Sequence, residues 1–514
     1  MIERRIITGI IVSTEYIQQI QNIWDTQLLE SSTARMLAGW VFEYYAKYKK
    51  APQKEIENIY YQKLRESKIS KSIAEEIETE ILPSLSDEYE ENGINLNYLI
   101  DQTHTYLCEK HLEKHSQEIQ SLVESGELIE AEKLASEYKA LAKESGVDLN
   151  LDGGTVLLRI EKAFAQASSP VVRYPRQLGE FWNSQFVKSR LVALMGIEKR
   201  GKTWWLMDIA MRAARQRVKV AFFQAGDMTE DEQLIRISIH LTKKSNLDKY
   251  NGKMFQPVRD CVYNQLGTCE KEVRECDFGV FEGRTEKEVR QEITMEELKQ
   301  AYKENPDYKA CTNCRVYKYK HVGAAWIEEV NAGNPLTVEE AKEAVDKFFI
   351  QSKRRFKLSS HANDTLSIKE INALLDIWER QEDFVPGLIV IDYADLLIPD
   401  NDRIEFRHQQ NKIWKGLRRL SQIKDCLVLT ATQADAEGYS KNRLGMKNFS
   451  EDKRKLAHAS AIFGLNQDTK DREKEIGVMR INEIVIREGA FSNKNEVYVL
   501  QNLARGRPYL GSYW

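Results

Sequence analysis

The run Gly196-Ile197-Glu198-Lys199-Arg200-Gly201-Lys202-Thr203 constrains this chain more than any other stretch. It satisfies G-x-x-x-x-G-K-[ST] at every fixed position. The apolar residues Leu191 to Leu194 precede it and read as a strand, and Trp204 to Arg215 reads as the helix behind it. A glycine-rich loop in that setting folds into a cradle for phosphates. Glycine lets successive backbone N–H groups close on an anion, at a helix N-terminus that already carries partial positive charge. In such a cradle Gly196, Glu198, Lys199, Arg200, Gly201, Lys202, Thr203 and Trp204 surround a nucleotide such as ATP. Lys202 is expected to reach the β- and γ-phosphates, and Thr203 to offer its hydroxyl to Mg²⁺.

The sequence around the loop predicts a buried parallel sheet. Val218 to Phe223, Leu388 to Ile391 and Leu427 to Thr430 are short, near-continuous apolar runs separated by helical stretches. That is the pattern of strands covered on both faces. The run at Leu388 ends in Asp392, the form of a Walker B element whose carboxylate holds Mg²⁺. Asp227, in Gln224-Ala225-Gly226-Asp227-Met228, falls at the carboxyl end of a strand, where ligands approach an open sheet. Two readings of it fit: the group that orients the attacking water, or the N-cap of a helix beginning near Thr229. Gln433, in Ala431-Thr432-Gln433, is placed either to sense the γ-phosphate or to end a strand without further role.

A chain of 514 residues is too long for one core and implies more than one domain. Residues 1 to about 115 read as a helical bundle: Ile17, Ile20, Ile23 and Trp24, then Met36, Trp40, Val41, Tyr44 and Tyr45, recur at helical spacing. Residues 116 to 174 read as a helical linker. It serves either to pack on a neighbouring subunit or as a solvated spacer, and Gly146 and Gly153-Gly154 interrupt it. No apolar run is long enough to span a bilayer, and the N-terminus lacks a signal peptide's apolar stretch; a cytoplasmic protein without membrane partners is expected. The net charge of −4 does not advertise nucleic-acid binding. It does not exclude it, because a ring can gather basic groups on its inner surface.

With these pieces in order, residues 175–514 resemble the RecA-like motor domain of DnaB-like replicative DNA helicases, most like the phage-encoded branch. The likeness is carried by GIEKRGKT at the phosphate loop, AFFQAGDMT on the next strand, LIVIDYADLL around Asp392, and TATQ ending at Gln433. The helical N-terminal domain and linker are similar to that family's by pattern. The resemblance implies an α/β RecA-like P-loop domain, a parallel sheet flanked by helices, behind an all-α N-terminal domain. It implies a homo-hexamer around single-stranded DNA, ATP at subunit boundaries, a primase or helicase loader as partner, and host cytoplasm as location. It makes Arg487, in Glu483-Ile484-Val485-Ile486-Arg487-Glu488-Gly489, the candidate arginine finger; the other reading is a surface arginine at a strand end. Three departures stand out. Asp227 occupies a position where the family has Glu, Val485 one where it often has Lys, and the stretch between Lys202 and Asp392 is longer than a compact core needs. A RecA-like DNA-binding ATPase without unwinding activity, such as a recombinase or loader, is the alternative expectation.

The excess length falls in a charged insertion at about 245–325, which holds five of the seven cysteines. Cys311-Thr312-Asn313-Cys314 has the spacing that lets two thiolates share a metal. Cys261, Cys269, Cys311 and Cys314 are the expected ligands of a structural Zn²⁺ site, with Cys276 in place of Cys261 as the alternative and His321 as a competitor. A metal would stabilise a segment with few large apolar residues; free thiols in an ordinary loop are the simpler reading. Two polar stretches, 402–408 and 441–447, are the expected DNA-binding loops, with Arg403, Arg407, Lys441, Arg443 and Lys447 as candidate phosphate contacts.

Overall fold

A computed structural model describes residues 2–21, 23–66, 69, 71–82, 96–138, 160–161, 164, 169–272, 274–314, 322–399, 406–449, 455 and 457–514. The chain divides into two compact units, Met1–Val156 and Leu157–Trp514.

The first unit is helical. Helices Ile2–Val12, Thr14–Ile20, Ser32–Tyr48, Glu55–Arg65 and Leu96–Glu124 enclose one apolar core. Ser13 and Ser31 cap the second and third of these by accepting from backbone N–H groups of the first turn. Ile17, Ile20 and Ile23 are buried, as their spacing predicts. In the third helix the buried stripe runs through Ala34, Leu37, Ala38 and Val41, with Trp40 and Tyr45 at its edge. The helix Leu96–Glu124 runs unbroken past residue 115, and Leu128–Glu137 follows it. No helix among the described residues is long and apolar enough to cross a membrane.

The second unit is built on a nine-stranded sheet. Its strands are β1 (Leu191–Gly196), β2 (Val220–Gln224), β5 (Phe356–Ser360), β6 (Leu388–Asp392), β7 (Leu427–Gln433), β8 (Ala461–Asn466), β9 (Val478–Ile486), β10 (Glu496–Asn502) and β11 (Arg507–Tyr513). They lie in the order β11-β10-β9-β8-β1-β7-β6-β2-β5. From β5 to β8 every pairing is parallel; β9, β10 and β11 extend the sheet antiparallel. The apolar runs are continuous because both faces are covered. Val192, Leu194, Phe222, Val390 and Leu429 enter one core, and Leu191, Ala193, Phe223, Ile389 and Val428 the other. The mostly parallel sheet flanked by helices is the RecA-like arrangement expected from the sequence. The antiparallel C-terminal strands were not foreseen as part of the same sheet.

The inserted segment folds around a hairpin, β3 (Lys253–Cys261) against β4 (Gly323–Asn331), with Cys261 opposite Gly323. It contains more apolar material than its charge suggests. Val262, Phe281, Leu298, Tyr308, Trp326 and Ile327 are buried together with Val478, Tyr498, Leu500 and Tyr513 from the C-terminal strands. The insertion therefore shares a core with the sheet domain. Burial of this kind supplies on the order of 2 kcal/mol per large apolar side chain, which removes the argument that a metal is needed to fold it.

Candidate active site

The strand order places the motifs side by side. β7 lies between β1 and β6, and the pairing sets Gly196 against Gln433 and Asp392 against Gln224. The carboxyl tips of β1, β7, β6 and β2 thus share one edge, where an open parallel sheet presents ligand-binding groups. The helix Lys202–Arg215 starts at this edge. Its N-cap is Gly201, at φ +81°, a left-handed conformation that favours glycine. A Cβ there would also lie 2.8 Å from Leu503 Cδ1. Glycine has no side chain to satisfy the first-turn N–H groups, which leaves them for an anion.

Thr203 Oγ1 lies 3.3 Å from Asp392 Oδ1. The two groups expected to share Mg²⁺ are therefore adjacent, although 189 positions separate them in sequence. Asp392 is fully buried, and its Oδ2 has no hydrogen-bond partner among the described residues. Burial, reinforced by the nearby Asp227 charge, pushes its carboxyl up to about 7; the Thr203 hydroxyl and the Arg236 and Lys202 charges oppose this. A buried carboxylate with an unpartnered oxygen beside a threonine hydroxyl is a donor set suited to a hard divalent cation. The residues present fit Mg²⁺. The peptide between Asp392 and Tyr393 is cis.

Lys202 Nζ donates to the carbonyls of Gly196 (2.8 Å) and Ile197 (3.2 Å) and lies 6.0 Å from the centroid of the Tyr393 ring. Burial pulls its ammonium below the usual lysine range, against the opposing charges of Asp395, Asp227, Asp392 and Glu198. Asp227 is exposed and lines the same cleft. It does not cap the following helix: Thr229 does, in a reciprocal box with Glu232. Gln433 Nε2 donates to Glu198 Oε1 at 3.1 Å, so the strand tip touches the phosphate loop directly. Glu198, Lys199, Gly201, Lys202, Thr203, Trp204 and Gln433 all line a cleft of 740 Å³. Arg200 does not. It is buried, donates to Gln467 Oε1 at 2.6 Å and lies 3.6 Å from Asp471.

Arg487 is exposed immediately beyond β9, and its backbone N–H donates to Ser460 O. Ile486 pairs with Ala461, at the amino end of β8, so Arg487 sits at the opposite edge of the sheet from the phosphate loop of its own chain. Of the candidate DNA contacts, Lys441 and Lys447 are exposed, whereas Arg443 is tied to Glu496 through two bonds of 3.2 and 3.0 Å. Arg407 lies in the first turn of the helix Phe406–Ile423, and Arg403 falls outside the described residues.

The zinc expectation is corrected. Among the described residues no group of three or more His, Cys, Asp or Glu is placed to hold a metal ion, so Cys261, Cys269, Cys311 and Cys314 do not form the site their spacing suggests. Cys261 and Cys311 are buried, and burial pushes both thiols up; Cys314 Sγ accepts instead from Lys271 Nζ at 3.1 Å. Cys276, the alternative ligand, accepts from the backbone N–H of Lys309 at 3.0 Å, and His321 lies outside the described residues. The hub of the segment is a carboxylate. Fully buried Asp260 accepts from Cys261 N (2.7 Å), Cys311 N (2.8 Å), Tyr308 OH (2.7 Å), Gln265 Nε2 (3.0 Å) and Asn264 Nδ2 (3.1 Å).

Several site residues had no sequence signal of their own. Asp395 Oδ2 accepts from Thr432 Oγ1 (2.8 Å) and Gln433 N (3.0 Å), and its Oδ1 pairs with the fully buried Lys455 at 2.8 Å. Arg236 and Tyr393 line the cleft. The acidic repeat Asp392-Tyr393-Ala394-Asp395 is visible in the sequence, but nothing there assigns its second acid a partner.

Fold and site together define a RecA-like P-loop domain joined to a helical N-terminal unit. Solved structures similar to this chain include a DnaB-like replicative helicase described with its interactions with primase: 12% identity, 98% of each chain covered, TM-score 0.47. Another is a separately solved ATPase domain, at 14% identity over 69% of this chain and 98% of that one, TM-score 0.42. No protein-family model matches the sequence, and no curated protein does.

Proposed function

We propose that this chain is an ATP-hydrolysing motor that translocates on single-stranded DNA and unwinds duplex DNA, a replicative helicase of the DnaB-like kind working in the cytoplasm as a homo-hexamer. The observation that carries the reading is the contact between Thr203 and Asp392 at the end of a glycine-lined loop, with one Asp392 oxygen left for a cation. Magnesium bound there with the triphosphate would offset charge on the phosphate oxygens. Thr203 and Asp392 would hold it.

The chain's own residues supply the rest. The first-turn N–H groups behind Gly201 bind phosphate oxygens, and Lys202 leaves its loop carbonyls to pair with the β- and γ-phosphates. Asp227, at the mouth of the cleft, orients the attacking water. Gln433 responds to the γ-phosphate, and Asp395 links it to Lys455, which follows the polar loop carrying Lys441 and Lys447. That path runs from the phosphates to a candidate DNA contact. Arg487 completes the site of a neighbouring subunit, because its own phosphate loop lies across the sheet. The helical first unit is the natural platform for a primase or loader.

The test is turnover of ATP with and without single-stranded DNA, on the wild type and Lys202→Ala, followed by strand displacement. DNA should stimulate the wild type, and the substitution should lower turnover by at least about 10²-fold. A mutant that keeps its activity, or a wild type indifferent to DNA, would sink the motor reading. Stimulation without strand displacement would leave the ATPase and remove the helicase.

A further inference from the structure

We propose that the inserted segment forms the base-binding wall of the nucleotide cleft within the same chain and selects adenine. The proposal rests on the nucleotide reading above and adds which part of the chain recognises the base.

The cleft extends well beyond the phosphate loop. At 740 Å³ it matches the size of pockets that enclose whole small ligands rather than a phosphate group alone. Its path can be followed by close contacts. Leu503, in the turn between β10 and β11, sits over Gly201. Further along, Gly477 at φ +88° marks where three pieces converge: a Cβ there would lie 2.4 Å from Gln501 O and 3.0 Å from Pro257 Cγ. Pro257 belongs to β3, so the hairpin of the insertion is pressed against the C-terminal strands at this point.

Tyr250, Met254, Phe255 and Pro257 face this end of the cleft. Phe255 is braced edge-on by Tyr302, with ring centroids 5.3 Å apart. Flat apolar surfaces of this kind stack on any base and give little choice among them. The choice is made by Gln501, which lines the same cleft and is 4% exposed. Its Oε1 is buried without a hydrogen-bond partner among the described residues. A buried acceptor left unpaired is costly, so a ligand that donates to it gains affinity and one that presents another acceptor loses it. Adenine carries an amino donor at position 6, where guanine carries a carbonyl acceptor. The hairpin therefore provides the stacking surface and Gln501 the discrimination.

The experiment is equilibrium binding of ATP, GTP and inorganic tripolyphosphate, each with Mg²⁺, to the full-length chain and to Tyr250→Ala and Gln501→Met. The wild type should prefer ATP to GTP by about tenfold or more, and Gln501→Met should reduce that ratio to near unity. Tyr250→Ala should weaken ATP and GTP together by about tenfold. Both variants should bind tripolyphosphate as the wild type does, which also shows that they are folded. ATP binding unaltered in both variants, or an ATP-to-GTP ratio unaltered in Gln501→Met, would overturn the proposal while leaving nucleotide binding intact. A loss of tripolyphosphate binding in step with ATP would overturn it too, since the wall would then act through the phosphate end. A wild type that binds neither ATP nor tripolyphosphate would remove the underlying nucleotide reading instead.

Discussion

Lys455 has no exposed surface, yet its ammonium lies 2.8 Å from Asp395, whose other oxygen holds the backbone of Gln433. A lysine so placed is costly to bury and costlier to break, because removing one partner leaves an uncompensated charge, at about 3 kcal/mol. Lys455→Met should therefore lower the melting temperature and reduce DNA-stimulated turnover more than basal turnover. Adding Asp395→Asn should restore most of the stability but not the stimulation. Equal loss of both activities would show that the pair is merely structural. His240 makes a second prediction. It is fully buried, its Nδ1 donates to Gly506 O at 2.8 Å, and burial, with Lys243 and Arg215 nearby, pulls its pKa down to about 4 despite Asp208 at 3.6 Å. The unfolded chain takes up this proton near its ordinary value of about 6.5; the folded one resists until about 4. Stability is therefore complete above that upper value and falls through the window as pH drops, by about 3 kcal/mol. Denaturant midpoints between pH 4 and 7.5 should decline less steeply in His240→Gln, which keeps a donor for Gly506; parallel declines would show that His240 contributes nothing. Neither residue was legible in the sequence. The phosphate loop and Asp392 announce themselves because their chemistry fixes type and spacing over a few positions, whereas Lys455 and His240 gain their meaning from partners far away in the chain.

The hairpin β3–β4 and its surroundings show the same contrast among elements. The parallel strands were readable because burial on both faces leaves unbroken apolar runs such as Leu388–Ile391. β5, Phe356-Lys357-Leu358-Ser359-Ser360, was not, since an edge strand keeps polar residues. The insertion misled because its charge count masked Trp326, Phe281 and Tyr308, and because a Cys-x-x-Cys pair carries weight whatever its surroundings. Asp260 could not be recognised as a hub, since its donors come from positions as distant as Cys311. Asp260→Ala would strand five donors in a site with no water-accessible surface. A loss of about 3 kcal/mol, confined to this segment, is expected. Amide exchange should accelerate over residues 253–314 while the strands β6 and β7 stay protected. Exchange that rises uniformly across the sheet domain would mean that the insertion is not a separate layer of stability, and unchanged exchange would mean that Asp260 does not hold it.

In the whole molecule the position of Arg487 decides what a single chain can do. It follows β9, whose end pairs with the start of β8, while the phosphate loop follows the end of β1. Six strand residues separate those edges, roughly 20 Å at about 3.3 Å per residue. No side chain spans that distance, so if Arg487 stabilises charge in hydrolysis it does so for a neighbour. A closed ring of identical subunits makes this testable, because every boundary joins the loop of one chain to the arginine of the next. Lys202→Ala and Arg487→Ala should each be inactive alone. Mixed in equal amounts and allowed to reassemble, they place an intact loop from the arginine mutant against an intact arginine from the lysine mutant at roughly a quarter of boundaries. Turnover should reappear on mixing, rise with reassembly time, and stay absent when either mutant is mixed with the double mutant. A mixture as inactive as its components would show that the two residues do not meet across a subunit boundary, and an active Arg487→Ala on its own would remove the arginine from the reaction altogether.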